Sequence, residues 1–276
     1  MTDNQEKTEN RKTFIIAGVN GDIGQEFAKS LSKYGRVYGI SRSSRKMSDF
    51  DYTHLVADFL NPEQIKESFE KIELSDDITY IHLIGKFLFE DENHPIVDRN
   101  GDGINDVIYD INCKTFKNAL PVLLDLLKEE SKRKLKVISI SAVMDLYDLP
   151  FFNSFTKSKD ELRKEFRVVY GAQSNYGRVS SLMINVATVK GHQLSEERPF
   201  MSEEDKAFCL SPKEVIDQSL EHILDSRNGC IEISLVKPNP SFGNSDYLDI
   251  AVVKKRWYRD MYGPLAEEKM KGGGRK

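Results

Sequence analysis

The stretch that most restricts this chain runs from Thr13 to Tyr34. A short apolar run, Thr13-Phe-Ile-Ile-Ala17, leads into Gly18-Val-Asn-Gly21-Asp-Ile-Gly24. An amphipathic segment over residues 23–34 follows, with Phe27, Leu31 and Tyr34 on one side. Strand, glycine turn and helix make one βα unit. Glycines there permit a tight turn and a close approach of backbone to phosphate, while the free N–H groups and dipole of the helix start attract an anion. Nucleotide binding is therefore expected, with Gly18, Asn20, Gly21, Asp22, Ile23 and Gly24 around the phosphates.

The same alternation continues along the chain. Residues 36–40, 53–57, 79–84, 135–141, 180–189 and 230–235 read as further strands. Between them lie helical stretches at 106–127 and 155–168. Two more are opened by Asn61-Pro62, with Gln64 placed to complete a capping box, and by Ser211-Pro212-Lys213-Glu214. About seven mostly apolar strands with intervening helices predict an α/β fold: one doubly wound parallel sheet in three layers. The expected domain spans residues 12–240, after a disordered tail at 1–11. The extension at 241–276 is expected to pack its Trp257 and Tyr258 on the domain or on a partner subunit, with a disordered end.

Charge and cysteine content exclude several classes. A net charge of −4 with interleaved signs gives no basic field for nucleic acid or anionic membrane. Cys113, Cys209 and Cys230 are far apart and form no CxxC pair, which argues against a disulfide scaffold or zinc site and fits a reducing cytoplasm. No apolar run reaches the roughly 20 residues of a membrane span, and residues 1–12 lack a signal-peptide core. A cytoplasmic protein is expected.

The second strand ends in Ser41-Arg42-Ser43-Ser44-Arg45, where an NAD site usually carries an acid for the ribose 2′-hydroxyl. A guanidinium between serines suits a 2′-phosphate instead, so NADP is favoured over NAD. Asp58, followed by Phe59, closes the third strand and is placed to accept from the adenine amino group.

With these pieces in order, residues 12–237 resemble the short-chain dehydrogenase/reductase family. The glycine turn, Asp58, the strand ending His82-Leu-Ile-Gly85, Asn112, Ser139-Ile-Ser141 and the Ser-Pro-x-Glu helix fall in family order. The resemblance implies a Rossmann sheet, a dimer or tetramer built on long helices, and a catalytic set of serine, tyrosine, lysine and asparagine. Ser141, Lys159 and Asn112 match that set, and Gly85 and Lys159 would also meet the cofactor. The departures are GxxGxxG spacing, His82 at the start of the family's Asn-Asn-Ala-Gly, no Pro-Gly after the sixth strand, and Phe155 in place of the tyrosine. Tyr147 is a loop residue that offers a substitute hydroxyl.

Three functional readings follow. The first is an NADP-dependent oxidoreductase for a small carbonyl or alcohol, with non-standard proton delivery. The second is an NADP(H)-binding sensor or scaffold without catalysis. The third is a lyase, epimerase or dehydratase on the same fold. Separately, Asp98, Asn100, Asp102 and Asp106, with the Ile104 carbonyl, resemble the acidic loop of EF-hand and thrombospondin type 3 calcium repeats. The competing reading is a polar turn before a helix capped near Asn105.

Overall fold

A computed structural model describes residues 12–47, 50–90, 96–146, 150–173, 177–227, 229–237 and 249–272. The expected tail at 1–11 and Tyr147 lie outside these residues. Seven strands form one parallel sheet in the order β3-β2-β1-β4-β5-β6-β7. They are β1 Lys12–Ala17, β2 Gly35–Ser41, β3 Thr53–Val56, β4 Asp77–His82, β5 Lys134–Ala142, β6 Val179–Val186 and β7 Cys230–Leu235. The order reverses between β1 and β4, leaving a crevice beyond the strand C-terminal ends where such sheets bind ligands.

Alternating side chains feed two cores, as strand geometry requires. Ile15, Ala17, Ile78 and Tyr80 face the layer of α2 (Pro62–Phe69), α4 (Thr115–Glu129) and α5 (Asn153–Gln173). Phe14, Ile16, Ile81 and Ile138 face α1 (Asp22–Leu31) and α8 (Pro212–Leu224). The doubly wound Rossmann-like α/β sheet expected from the sequence is therefore present.

Local chemistry sets the element ends. Ser211 Oγ accepts from Glu214 N at 3.1 Å while Glu214 Oε2 accepts from Ser211 N at 2.7 Å, closing the capping box that starts α8. At α2, Asn61 Oδ1 accepts from Glu63 N and Gln64 N, but the expected box does not close. Gln64 Oε1 instead accepts from Asp58 N at 2.9 Å, because the turn after β3 brings that orphan donor closer. The helix expected over 106–127 is broken in three: α3 (Asp106–Tyr109), a π-helical turn (Asp110–Lys114) and α4.

The C-terminal region adds a third cluster. Helix α9 (Ile250–Tyr262) presents Val253, Trp257 and Tyr258 to Phe89, Phe151 and Phe152. A short helix, α10 (Ala266–Gly272), follows it. No helix among the described residues is long and apolar enough to cross a membrane.

Candidate active site

The glycine turn follows β1 directly. Gly18 takes φ +87°, a conformation L side chains rarely adopt, and its N–H donates to Ile40 O at 2.9 Å. A Cβ on Gly24 would lie 2.4 Å from Gly18 O, so the third glycine lets α1 start against the turn. Gly18, Asn20 and Gly21 open onto a cavity of about 820 Å³, within the usual range for ligand sites. Ser41, Arg42, Ser43, Asp58, Phe59 and Gly85 line the same cavity.

Other side chains expected at the nucleotide are engaged by partners within the protein. Ser41 Oγ receives the Asn20 amide at 2.9 Å, donates to Ser43 O at 3.0 Å and sits 2.9 Å from His54 Nε2, so it braces the turn. The Asp22 carboxylate accepts from His192 N at 2.8 Å, tying α1 to α6 (His192–Glu197). Neither Asp22 nor Gly24 lines the outer cavity, and Ile23 lines a second, inner pocket of about 240 Å³.

That inner pocket collects the expected catalytic groups. Ser141, Phe155 and Lys159 all line it. Ser141 is buried near the end of β5, and Lys159, one turn beyond Phe155 on α5, donates Nζ to Ile140 O at 3.1 Å. Leu83 to Phe87, Gln193, Glu197 and Trp257 border both spaces, which makes them one cleft. Asn112 lines neither. From the π-helical turn its Oδ1 accepts from Lys86 N at 2.7 Å, and its Nδ2 donates to Lys86 O at 2.9 Å and Ser158 Oγ at 3.0 Å. It clamps the segment after β4 that borders both spaces.

Electrostatics divides the titratable groups. His82 is fully buried, bonded to Tyr80 and Thr115, and pushed down to about 3 by burial and by Lys159. It stays neutral and lines neither cavity. Burial pushes Glu197 up to about 7 against the pull of Gln193, Lys86 and Arg198.

Glu197, Gln193 and Trp257 were not read as site residues from the sequence. A glutamate ending a short helix looks like any solvated one, and a tryptophan in an appended segment reads as packing. Trp257 does pack, stacked on Phe87 at 5.0 Å, and its other edge walls the cleft.

The acidic loop does not gather its oxygens outward. Asp98 accepts from the N–H groups of Gly101, Asp102 and Gly103, Asp102 from Ile104 N, and Asp106 from Arg99 N and Asn100 Nδ2. Asn105 caps α3 through Val107 N at 3.0 Å. No group of three or more His, Cys, Asp or Glu side chains suited to a metal occurs among the described residues. The calcium expectation is not supported; the segment is the polar turn before a capped helix.

No protein-family model matches this chain, and no curated protein matches it. Solved structures do resemble it. A short chain dehydrogenase from Burkholderia cenocepacia J2315 in complex with NADP has a TM-score of 0.62 at 15% identity, covering 81% of this chain and 89% of its own. The ligand-free aldohexose dehydrogenase of Thermoplasma acidophilum gives 0.62 at 16%, covering 82% and 93%. A tyrosine-to-phenylalanine variant of ElxO with NADPH bound gives 0.65 at 15%, covering 81% and 97%. At such identities the likeness shows the fold.

Proposed function

We propose that the chain binds NADP(H) and transfers hydride between it and a small carbonyl or alcohol. The observation that carries this reading is the cleft itself: a cavity over the glycine turn runs into a pocket that holds Ser141 and Lys159.

The residues suit a dinucleotide. The backbone at Gly18 and Gly21 faces the cavity, and Asn20 Oδ1 is buried with no hydrogen-bond partner among the described residues. Gly85 lines both spaces next to Lys159 and Asn112. The turn at Gly18 and Gly21 would flank the pyrophosphate, the Asn20 Oδ1 would accept from a ribose hydroxyl, Arg42 and Ser43 would hold the 2′-phosphate, Asp58 the adenine and Lys159 the nicotinamide ribose. Bound there, the reduced nicotinamide supplies a hydride. Ser141 would orient the substrate oxygen, and the rings of Phe155, Phe87 and Trp257 would exclude water. The NADP and NADPH complexes among the similar structures support this cofactor.

A second reading is a silent NADP(H) sensor. It is favoured by Phe155, whose ring has no proton to give and packs on Phe87 at 5.1 Å. Calorimetry with NADPH, then single-turnover oxidation of bound NADPH against a panel of aldehydes and ketones, separates the two. An oxidoreductase reduces some carbonyl slowly, and Phe155→Tyr speeds the step or leaves it unchanged. Tight NADPH binding with no hydride transfer in either protein establishes the sensor.

A further inference from the structure

We propose that Glu197 is the proton donor and acceptor of the inner pocket, supplying what Phe155 lacks; this rests on the oxidoreductase reading above. Glu197 ends α6 where the outer cleft passes into the inner pocket, and it lines both. Among the described residues around the inner pocket it carries the one carboxyl group. The other charged groups there are Lys86 and Lys159. Gln193, one turn earlier on α6, donates Nε2 to Glu197 Oε1 at 2.7 Å and so orients the carboxyl.

The surroundings hold that carboxyl in the range acid–base work requires. Burial raises it to about 7, Glu196 adds to the rise, and Gln193, Lys86 and Arg198 oppose it. Near neutrality both protonation states are then populated, which favours a group that must give and regain a proton. Its placement beside Phe155, Leu194 and Trp257 puts the carboxyl among apolar walls at the junction of the two spaces.

In carbonyl reduction the substrate carbon gains the hydride with its electron pair, the reduced nicotinamide being the reductant. The C–O π pair moves onto oxygen, which takes the proton from Glu197. The glutamate O–H bond breaks, leaving a carboxylate that regains its proton from water in the outer cleft. Alcohol oxidation runs these steps backwards with Glu197 as base.

The test is stopped-flow single turnover of the NADPH-bound chain with nitrobenzaldehyde and the carbonyl panel, as a function of pH. In the wild type the reduction rate is high at low pH and falls as pH rises through about 7, because the donor must be protonated. Glu197→Gln lowers the rate about 10²–10⁴-fold. It also flattens that limb, while Glu197→Asp restores part of the rate. A readout independent of turnover is carboxyl ¹³C NMR of the chain alone, in which a resonance titrating near 7 vanishes in Glu197→Gln. Full rate and an unchanged limb in Glu197→Gln overturn the inference while the oxidoreductase reading stands, as does the lack of a carboxyl titrating near neutrality. Failure of the wild type to reduce any carbonyl removes the oxidoreductase reading, and this inference with it.

Discussion

Arg42 stands on the outer cavity wall next to Ser41, whose hydroxyl already meets Asn20, Ser43 O and His54. With Ser41 bracing the turn, the proposed 2′-phosphate contact rests chiefly on the guanidinium. Arg42→Ala is expected to lower the ratio of NADPH to NADH affinity roughly 10- to 100-fold, the size of one charge-assisted interaction. An unchanged ratio by calorimetry would remove the 2′-phosphate assignment. The glycine turn was legible in the sequence because its geometry depends on two nearby positions: a positive φ at Gly18 and a missing Cβ at Gly24. The tie between Asp22 and His192 N was not legible, since the two lie 170 residues apart.

At the level of elements, the π-helical turn carries Asn112 to the backbone of Lys86. An i→i+5 turn inserts one extra residue, and such turns recur at functional sites. Apolar periodicity over 106–127 read as one helix because a single added residue barely disturbs the pattern. Caps were easier: Ser211 and Glu214 satisfy each other within four residues, whereas Gln64 found a competing donor across a turn. Asn112→Leu would leave the Lys86 N–H and C=O without these partners, at a cost of about 1–3 kcal/mol. The expected results are a lower denaturant midpoint and faster amide exchange at Lys86. Unchanged exchange there would show that the clamp does not hold the segment after β4.

Across the whole molecule, α6, α7 (Glu203–Ala207) and α9 are tied by charge. Arg198 pairs with fully buried Asp260 and lies 4.2 Å over the Trp257 ring, while Asp205 meets Arg256 at 3.0 Å and Arg259 at 2.6 Å. Phe200 N also donates to Asp260 O at 2.9 Å. This network seats α9 over the cleft. Asp260→Ala strands a buried guanidinium, so a loss of about 3–5 kcal/mol is expected by chemical denaturation. A loss within error would mean that apolar packing alone holds the helix. The sheet was readable because each strand announces itself in a few consecutive apolar residues. The cleft wall was not, because α6 and α9 acquire their role only by meeting over the strand ends. Trp257 is the sole tryptophan in the sequence and forms part of that wall beside both spaces. Its near-ultraviolet emission overlaps the absorption of a reduced nicotinamide ring, so the protein carries an intrinsic optical reporter in its own cleft. Quenching of that indole with sensitised nicotinamide emission would follow occupancy in real time, with no label attached and no second tryptophan to dilute the signal.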